Sequence, residues 1–120
     1  MTERGWWFLS LVAGVALVAL LGAHMAVQHY GAALRALGWI QGPPARSFAA
    51  VTARGRILGW AVLYGLLLLF ALYHGLYGLR GILLEVWPRA ARVITAVLVI
   101  AGIAMAVFGT TTIMRAIGGS

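Results

Sequence analysis

The chain has 120 residues, of which 63% are hydrophobic and 9% are charged, so its composition lies outside the range of soluble domains and inside that of membrane proteins. Its net charge of +7 comes from nine arginines, no lysine and two acids, and we interpret arginines at span ends and in loops as headgroup contacts rather than a nucleic-acid surface. The absence of cysteine excludes disulfides and thiolate-bound metal or iron–sulfur centres from this sequence.

At about 20 residues for each crossing of the bilayer, the chain accommodates three spans and no soluble catalytic domain. We therefore predict an all-α fold with three transmembrane helices, forming a single membrane domain over residues 1–120. The first span covers residues 6–30, opening with a tryptophan pair and closing with His29 and Tyr30, which suits aromatic residues at both interfaces. This stretch is too long for a signal-peptide core, so we expect it to be retained. It carries small residues that offer surfaces to a neighbour: Ser10, Gly14 and Gly22.

Residues 31–56 form the predicted first loop. Four arginines and a Gly-Pro-Pro run lower its hydrophobicity, and proline makes a continuous helix there unfavourable. We expect short interfacial helices around residues 32–40 and 47–53.

The second span covers residues 57–86, with Pro88 marking its end, and the third covers residues 90–116. We predict that the third span packs closely through Gly102 and Gly109 and turns its threonine hydroxyls onto its own backbone.

Two histidines fall inside the predicted spans, His24 in the first and His74 in the second. Because the two helices run in opposite directions, the histidines differ in depth by about 16 Å at 1.5 Å per residue, so one metal cannot be bound by both. If each is a ligand, there are two stacked sites, each completed most simply by another chain. Imidazole is a common axial ligand of haem iron, and Gly75 and Gly78 would let a flat macrocycle approach the backbone. Arg80 is placed to reach a haem propionate.

Less specific interpretations stay open for these residues. An intramembrane histidine can simply hydrogen-bond a neighbouring helix, and glycines at this spacing are often plain helix packing. His29 is assigned to the interface. Glu85, three turns after His74, either pairs with Arg89 or Arg92 or borders a quinone headgroup pocket together with Trp87.

The run LLLFALYHGLYGLRGILLEVW resembles the second transmembrane helix of the D-type hydrophobic anchor subunits of succinate dehydrogenase (succinate:quinone oxidoreductase). His74, Gly78 and Glu85 stand at the family's positions for a haem-ligating histidine, a small residue one turn later and an acid eleven residues on. In many ubiquinone-linked members a quinone-binding tyrosine follows the acid, whereas Val86 follows it here. The run GAHMAVQHY is similar to the first-helix motif of two-haem anchors.

The resemblance implies that His74 ligates the b haem nearer the succinate-oxidising subunits and that His24 ligates the farther one. It implies a second three-helix anchor of the C type, an iron–sulfur subunit and a flavoprotein with FAD, all outside this chain. The protein would then be a non-catalytic subunit of a bacterial or archaeal cytoplasmic-membrane enzyme, with a cytoplasmic N-terminus. Two-haem members commonly use menaquinone, so we expect that quinone.

Two alternatives remain at this point. The chain could be a non-redox helical scaffold or small-transporter subunit in which the histidines pack or relay protons. It could also belong to a dehydrogenase with one haem, ligated by His74 alone, with a structural His24.

Overall fold

The computed structural model describes residues 1–39, 41–42, 44 and 46–118, and this part of the chain is helical without a strand. Three of its helices are long and apolar enough to cross a membrane, which confirms the predicted fold class. In chain order the elements are α1 (Glu3–Ala36), α2 (Phe48–Gly55), α3 (Leu58–Val86), a single 3-10 turn (Pro88–Ala90) and α4 (Ala91–Gly118).

Helix α1 is longer than the sequence predicts. The Thr2 side chain caps its first turn by accepting a hydrogen bond from the backbone of Gly5. Its C-terminal end is a Schellman motif, in which Gly38 has φ of 75° and the backbone N–H groups of residues 38 and 39 bond carbonyls of the last turn. Nothing between residue 30 and this glycine stops the helix, so α1 continues six residues beyond the predicted span, to Ala36.

The interfacial helix predicted at residues 32–40 is therefore not a separate element. Its first half, through Ala36, continues α1, and Ile40 lies outside the described residues. The second predicted interfacial helix is present as α2, capped by the Ser47 hydroxyl, which accepts a hydrogen bond from the backbone of Ala50. Pro88 begins a 3-10 turn directly after α3, as its missing N–H and fixed φ favour.

Helix α3 is the central helix of the chain. It packs against α1 on one side and α4 on the other, whereas α1 and α4 do not contact each other within the described residues. The α3–α4 contact uses the predicted glycines. A Cβ at Gly102 would lie 2.7 Å from Leu76 Cδ1, and one at Gly109 would lie 2.6 Å from Leu68 Cδ2. Both glycines are therefore positions of close helix packing.

Two of the three consecutive threonines near the end of α4 bond their own helix, as predicted. The hydroxyls of Thr111 and Thr112 donate to backbone carbonyls one turn earlier. Three helices arranged in a row leave both broad faces of α3 open between its neighbours. Few described side chains are buried, so most of the apolar surface faces lipid or another chain.

Candidate functional site

His74 is held against α1 by hydrogen bonds to Ser10. Its Nδ1 lies 2.8 Å from the backbone carbonyl oxygen of Ser10 and 3.3 Å from the Ser10 hydroxyl. Because a carbonyl oxygen can only accept, Nδ1 carries the hydrogen and donates it. In a neutral imidazole the remaining nitrogen, Nε2, then keeps its lone pair. This is the arrangement that orients metal-ligating histidines in proteins.

Gly14 makes room for the His74 ring. A Cβ on Gly14 would lie 2.9 Å from Cε1 of His74 and 3.2 Å from Nδ1, closer than side chains normally approach. Gly14 is one turn after Ser10, so the two residues form a seat for one edge of the imidazole. His74 is nevertheless exposed on this chain, because only α1 covers it and its other side is open.

The sequence indicated Ser10 and Gly14 as small residues for a neighbour, but it did not indicate that this neighbour is His74. The antiparallel arrangement of the two spans could have indicated this contact. A residue near the start of the first span should face a residue near the end of the second, and only a polar side chain there could hydrogen-bond the Ser10 carbonyl.

His24 is placed differently. It is partly buried, and its ring meets the Tyr64 ring edge-on, with centroids 5.7 Å apart and planes at 75°. Its Nδ1 is buried without a hydrogen-bond partner among the described residues. An unpaired buried polar atom is unfavourable, so this end of His24 lacks the support that His74 receives from Ser10.

The two histidines lie at different depths in the membrane. His74 is level with Ser10 on α1, and His24 is level with Tyr64 on α3. Ser10 precedes His24 by 14 residues and Tyr64 precedes His74 by 10, so the separation along the helix axes is about 15 to 21 Å at 1.5 Å per residue. One metal ion cannot be shared between them. Within the described residues, no three His, Asp or Glu side chains are grouped as a metal site.

The glycines that follow His74 do not pack against another helix of this chain. A Cβ built on Gly75, Gly78 or Gly81 meets no atom within 4 Å, in contrast to Gly14 and Gly102. At 100° per residue, Gly78 lies about 40° and Gly75 about 100° around α3 from His74. We call this open strip, made of His74, Gly75 and Gly78, the glycine face of α3. A helix surface without side chains next to a histidine fits a flat macrocycle, and the Nε2 edge of the ring lies toward α1, 3.6 Å from a Cβ built on Gly14.

Arg80 makes contacts to both neighbours of α3. Its Nη1 lies 3.1 Å from Oε1 of Glu3 on α1, and its Nε donates to the Thr95 hydroxyl of α4 at 3.0 Å. The residue lies about 120° around α3 from His74, on the side opposite the glycine face. The predicted contact with a propionate stays a prediction. To contact a propionate, the Arg80 guanidinium must leave Glu3 or Thr95 or bind the propionate in addition to them.

Glu85 and Trp87 lie at the end of α3 and are both exposed. Within the described part of the chain, Glu85 has neither a hydrogen bond nor an ion pair, so the pairing with Arg89 or Arg92 considered from the sequence is not formed. Their place at a quinone headgroup stays a prediction. His29 is exposed near the end of the predicted first span.

Comparison of the chain with family models, with curated proteins and with solved structures gave no match. The functional assignment below therefore depends on the residues and geometry of this chain and on the short motifs described above.

Proposed function

We propose that this chain is a haem-b-binding membrane anchor subunit of a succinate:quinone oxidoreductase, helping to pass electrons from an iron–sulfur subunit to a quinone. The observation that carries the proposal is the His74 geometry. Nδ1 is fixed to a backbone carbonyl of α1, which leaves Nε2 with the free lone pair, on the ring edge that lies near Gly14 of α1.

A b haem, when bound, supplies reversible one-electron transfer at a potential set by its surroundings. The residues of this chain would hold the haem and orient its histidine ligands. Ser10 fixes the tautomer and angle of the His74 ring, and Gly14 allows the ring to reach that position. His24 offers a second imidazole at another depth, packed against Tyr64.

The proposal includes a second anchor of the C type that supplies the other axial ligands. One feature supports a neighbour of this kind: α3 is open on both broad faces, because α1 and α4 do not meet within the described residues. The flavoprotein with FAD and the iron–sulfur subunit would bind on the side of the N-terminus. We place that side in the cytoplasm of a bacterial or archaeal cell, with two haems per complex and menaquinone as acceptor.

Glu85 and Trp87 are proposed to border the quinone headgroup. Both are exposed at the membrane-surface end of α3, and the Glu85 carboxylate has no partner among the described residues. An unpaired acid at the interface is available to deliver a proton to a reduced quinone.

The haem count of the complex, measured as the pyridine haemochrome, tests the proposal. We expect two haems in the parent, one each in His74→Ala and His24→Ala, and two in the control His29→Ala. A colourless complex would identify a scaffold or transporter subunit. Loss of haem in His74→Ala alone would leave a one-haem dehydrogenase, and an unchanged count in both variants would refute the assignment.

A further inference from the structure

A groove between α3 and α4 lies on the side of α3 away from the glycine face. Its volume is 390 Å³, and its walls are almost wholly apolar, including Leu72, Leu76, Val99 and Ile103. Arg80 and Thr95 line one end of it. Nothing in the sequence indicates this groove, because it depends on how α3 packs against α4.

A second cavity continues the groove toward the membrane surface. This cavity of 420 Å³ is also lined by Arg80 and Thr95, and Arg92 is on its wall. The shared residues join the two spaces into one site with an apolar body and a mouth that carries two guanidinium groups. We call this combined space the arginine groove.

We propose that the arginine groove binds an anionic phospholipid, with one acyl chain in the apolar body and the phosphate at Arg80 and Arg92. The inference rests on the groove and its charge, not on haem or quinone binding. It assigns Arg80 to a lipid phosphate in place of the haem propionate that the sequence predicts, and it gives Arg92 a role.

The dimensions of the groove fit an acyl chain. On α3 the lining runs from Leu69 to Arg80, and on α4 from Thr95 to Ala106. Each stretch has 12 residues, and its 11 steps rise about 16.5 Å at 1.5 Å per residue. Half of the ~30 Å hydrocarbon layer is about 15 Å, so the apolar body spans one leaflet.

The charge at the mouth favours an anionic headgroup. Arg80 is paired with Glu3, whose side chain is 72% exposed, whereas Arg92 has no ion pair with a described residue. Two guanidinium groups against one carboxylate leave a positive charge at the lipid headgroup level. Arginine recognises phosphate through its planar set of donors. A quinone would fill the apolar body, but its neutral headgroup makes less use of this charge.

Spin-labelled lipids test the site directly. The full chain is reconstituted in phosphatidylcholine vesicles containing trace spin-labelled phosphatidylglycerol or phosphatidylcholine, and the motionally restricted fraction gives the relative association constant. We expect the parent to prefer phosphatidylglycerol severalfold. Arg92→Gln should reduce that preference roughly fivefold, the equivalent of about 1 kcal/mol for one arginine near the headgroups.

Matched variants separate this site from general surface charge. Arg89→Gln removes the same charge one turn away without lining the groove, so it should retain the preference. Val99→Trp fills the apolar body and should abolish the preference, whereas Ile100→Trp, at a neighbouring exposed position that does not line the groove, should not. Circular dichroism confirms that each variant is folded.

Three results would overturn the proposal. The parent could retain both lipids equally, Arg89→Gln could lower the preference as much as Arg92→Gln, or Val99→Trp could leave it intact. Displacement of the restricted lipid by a short-chain quinone analogue, without any phosphatidylglycerol preference, would assign the groove to quinone instead.

Discussion

Replacing Gly14 with alanine tests the seat of the His74 ring. The new methyl group would lie 2.9 Å from Cε1 and 3.2 Å from Nδ1, so either the ring or α1 must move. A moving ring loses the 2.8 Å bond between Nδ1 and the Ser10 carbonyl oxygen. The change should therefore affect both the stability of the α1–α3 contact and the orientation of the proposed ligand.

The size of the effect follows from three terms. Overpacking costs about 1 to 3 kcal/mol, and the lost hydrogen bond costs about 0.5 to 1.5 kcal/mol. Replacing glycine by alanine within a helix returns about 1 kcal/mol. We therefore expect the free energy of unfolding to fall by roughly 0.5 to 3.5 kcal/mol, toward the lower figure if the exposed ring swings outward.

Reversible unfolding in mixed micelles, followed by circular dichroism, measures this change. Gly22→Ala is the matched control, because it lies on the same helix and a Cβ there meets nothing within 4 Å. We expect the control to be as stable as the parent or more stable. In the assembled complex, Gly14→Ala should also shift the reduction potential or electron paramagnetic resonance spectrum of one haem only. Equal stability of the two alanine variants would refute the described seat for His74.

Gly102→Ala should have a free energy of unfolding about 1 to 3 kcal/mol below that of Gly22→Ala, which shares the helix-propensity gain, since the new methyl group meets Leu76 at 2.7 Å; equal values would contradict the close α3–α4 packing. Tyr73→Phe removes a 2.7 Å hydrogen bond to an α1 backbone carbonyl and should cost about 0.5 to 1.5 kcal/mol in the same assay, whereas no loss would mean that the bond is not formed in the membrane. Glu3→Gln breaks the pair with Arg80 and should cost about 1 kcal/mol or less, and a loss that does not shrink at high salt would contradict a surface ion pair.

The helices were predictable because each has a signal in its own residues. Pro88 ends α3, and Ser47 begins α2, where the sequence placed these boundaries. The aromatic pair at His29 and Tyr30 predicts a membrane boundary, not the end of α1. That boundary does not stop a helix, which continues until Gly38 provides a left-handed residue.

The different depths of His24 and His74 were predictable from the sequence, but their contacts were not. Which neighbour each α3 side chain contacts depends on where α1 and α4 pack, and the close contacts of that packing are at distant residues, Gly14 and Gly102. For this reason Arg80 could be placed near the membrane surface from the sequence, yet its bonds to Glu3 and Thr95 could not be foreseen.

His24 provides a test that distinguishes the single chain from the assembly. Its buried Nδ1 has no partner among the described residues, and an orphaned group of this kind costs about 1 to 3 kcal/mol. A phenylalanine keeps the edge-on packing against Tyr64 and removes the orphan, so His24→Phe should leave the unfolding free energy of the chain unchanged or raise it. His74→Phe should lower it, because the Ser10 carbonyl loses its donor.

In the assembled complex the effect of His24→Phe on stability should have the opposite sign. In the complex, a haem or a partner chain would satisfy the nitrogen of His24 that is unpaired in the single chain. His24→Phe should therefore remove one haem and destabilise the complex. Thermal unfolding of the chain and of the complex, measured for both variants, decides the point. Destabilisation of the single chain by His24→Phe as large as that by His74→Phe would show that His24 is already satisfied within the chain, and it would remove this reason for assigning it to a second haem.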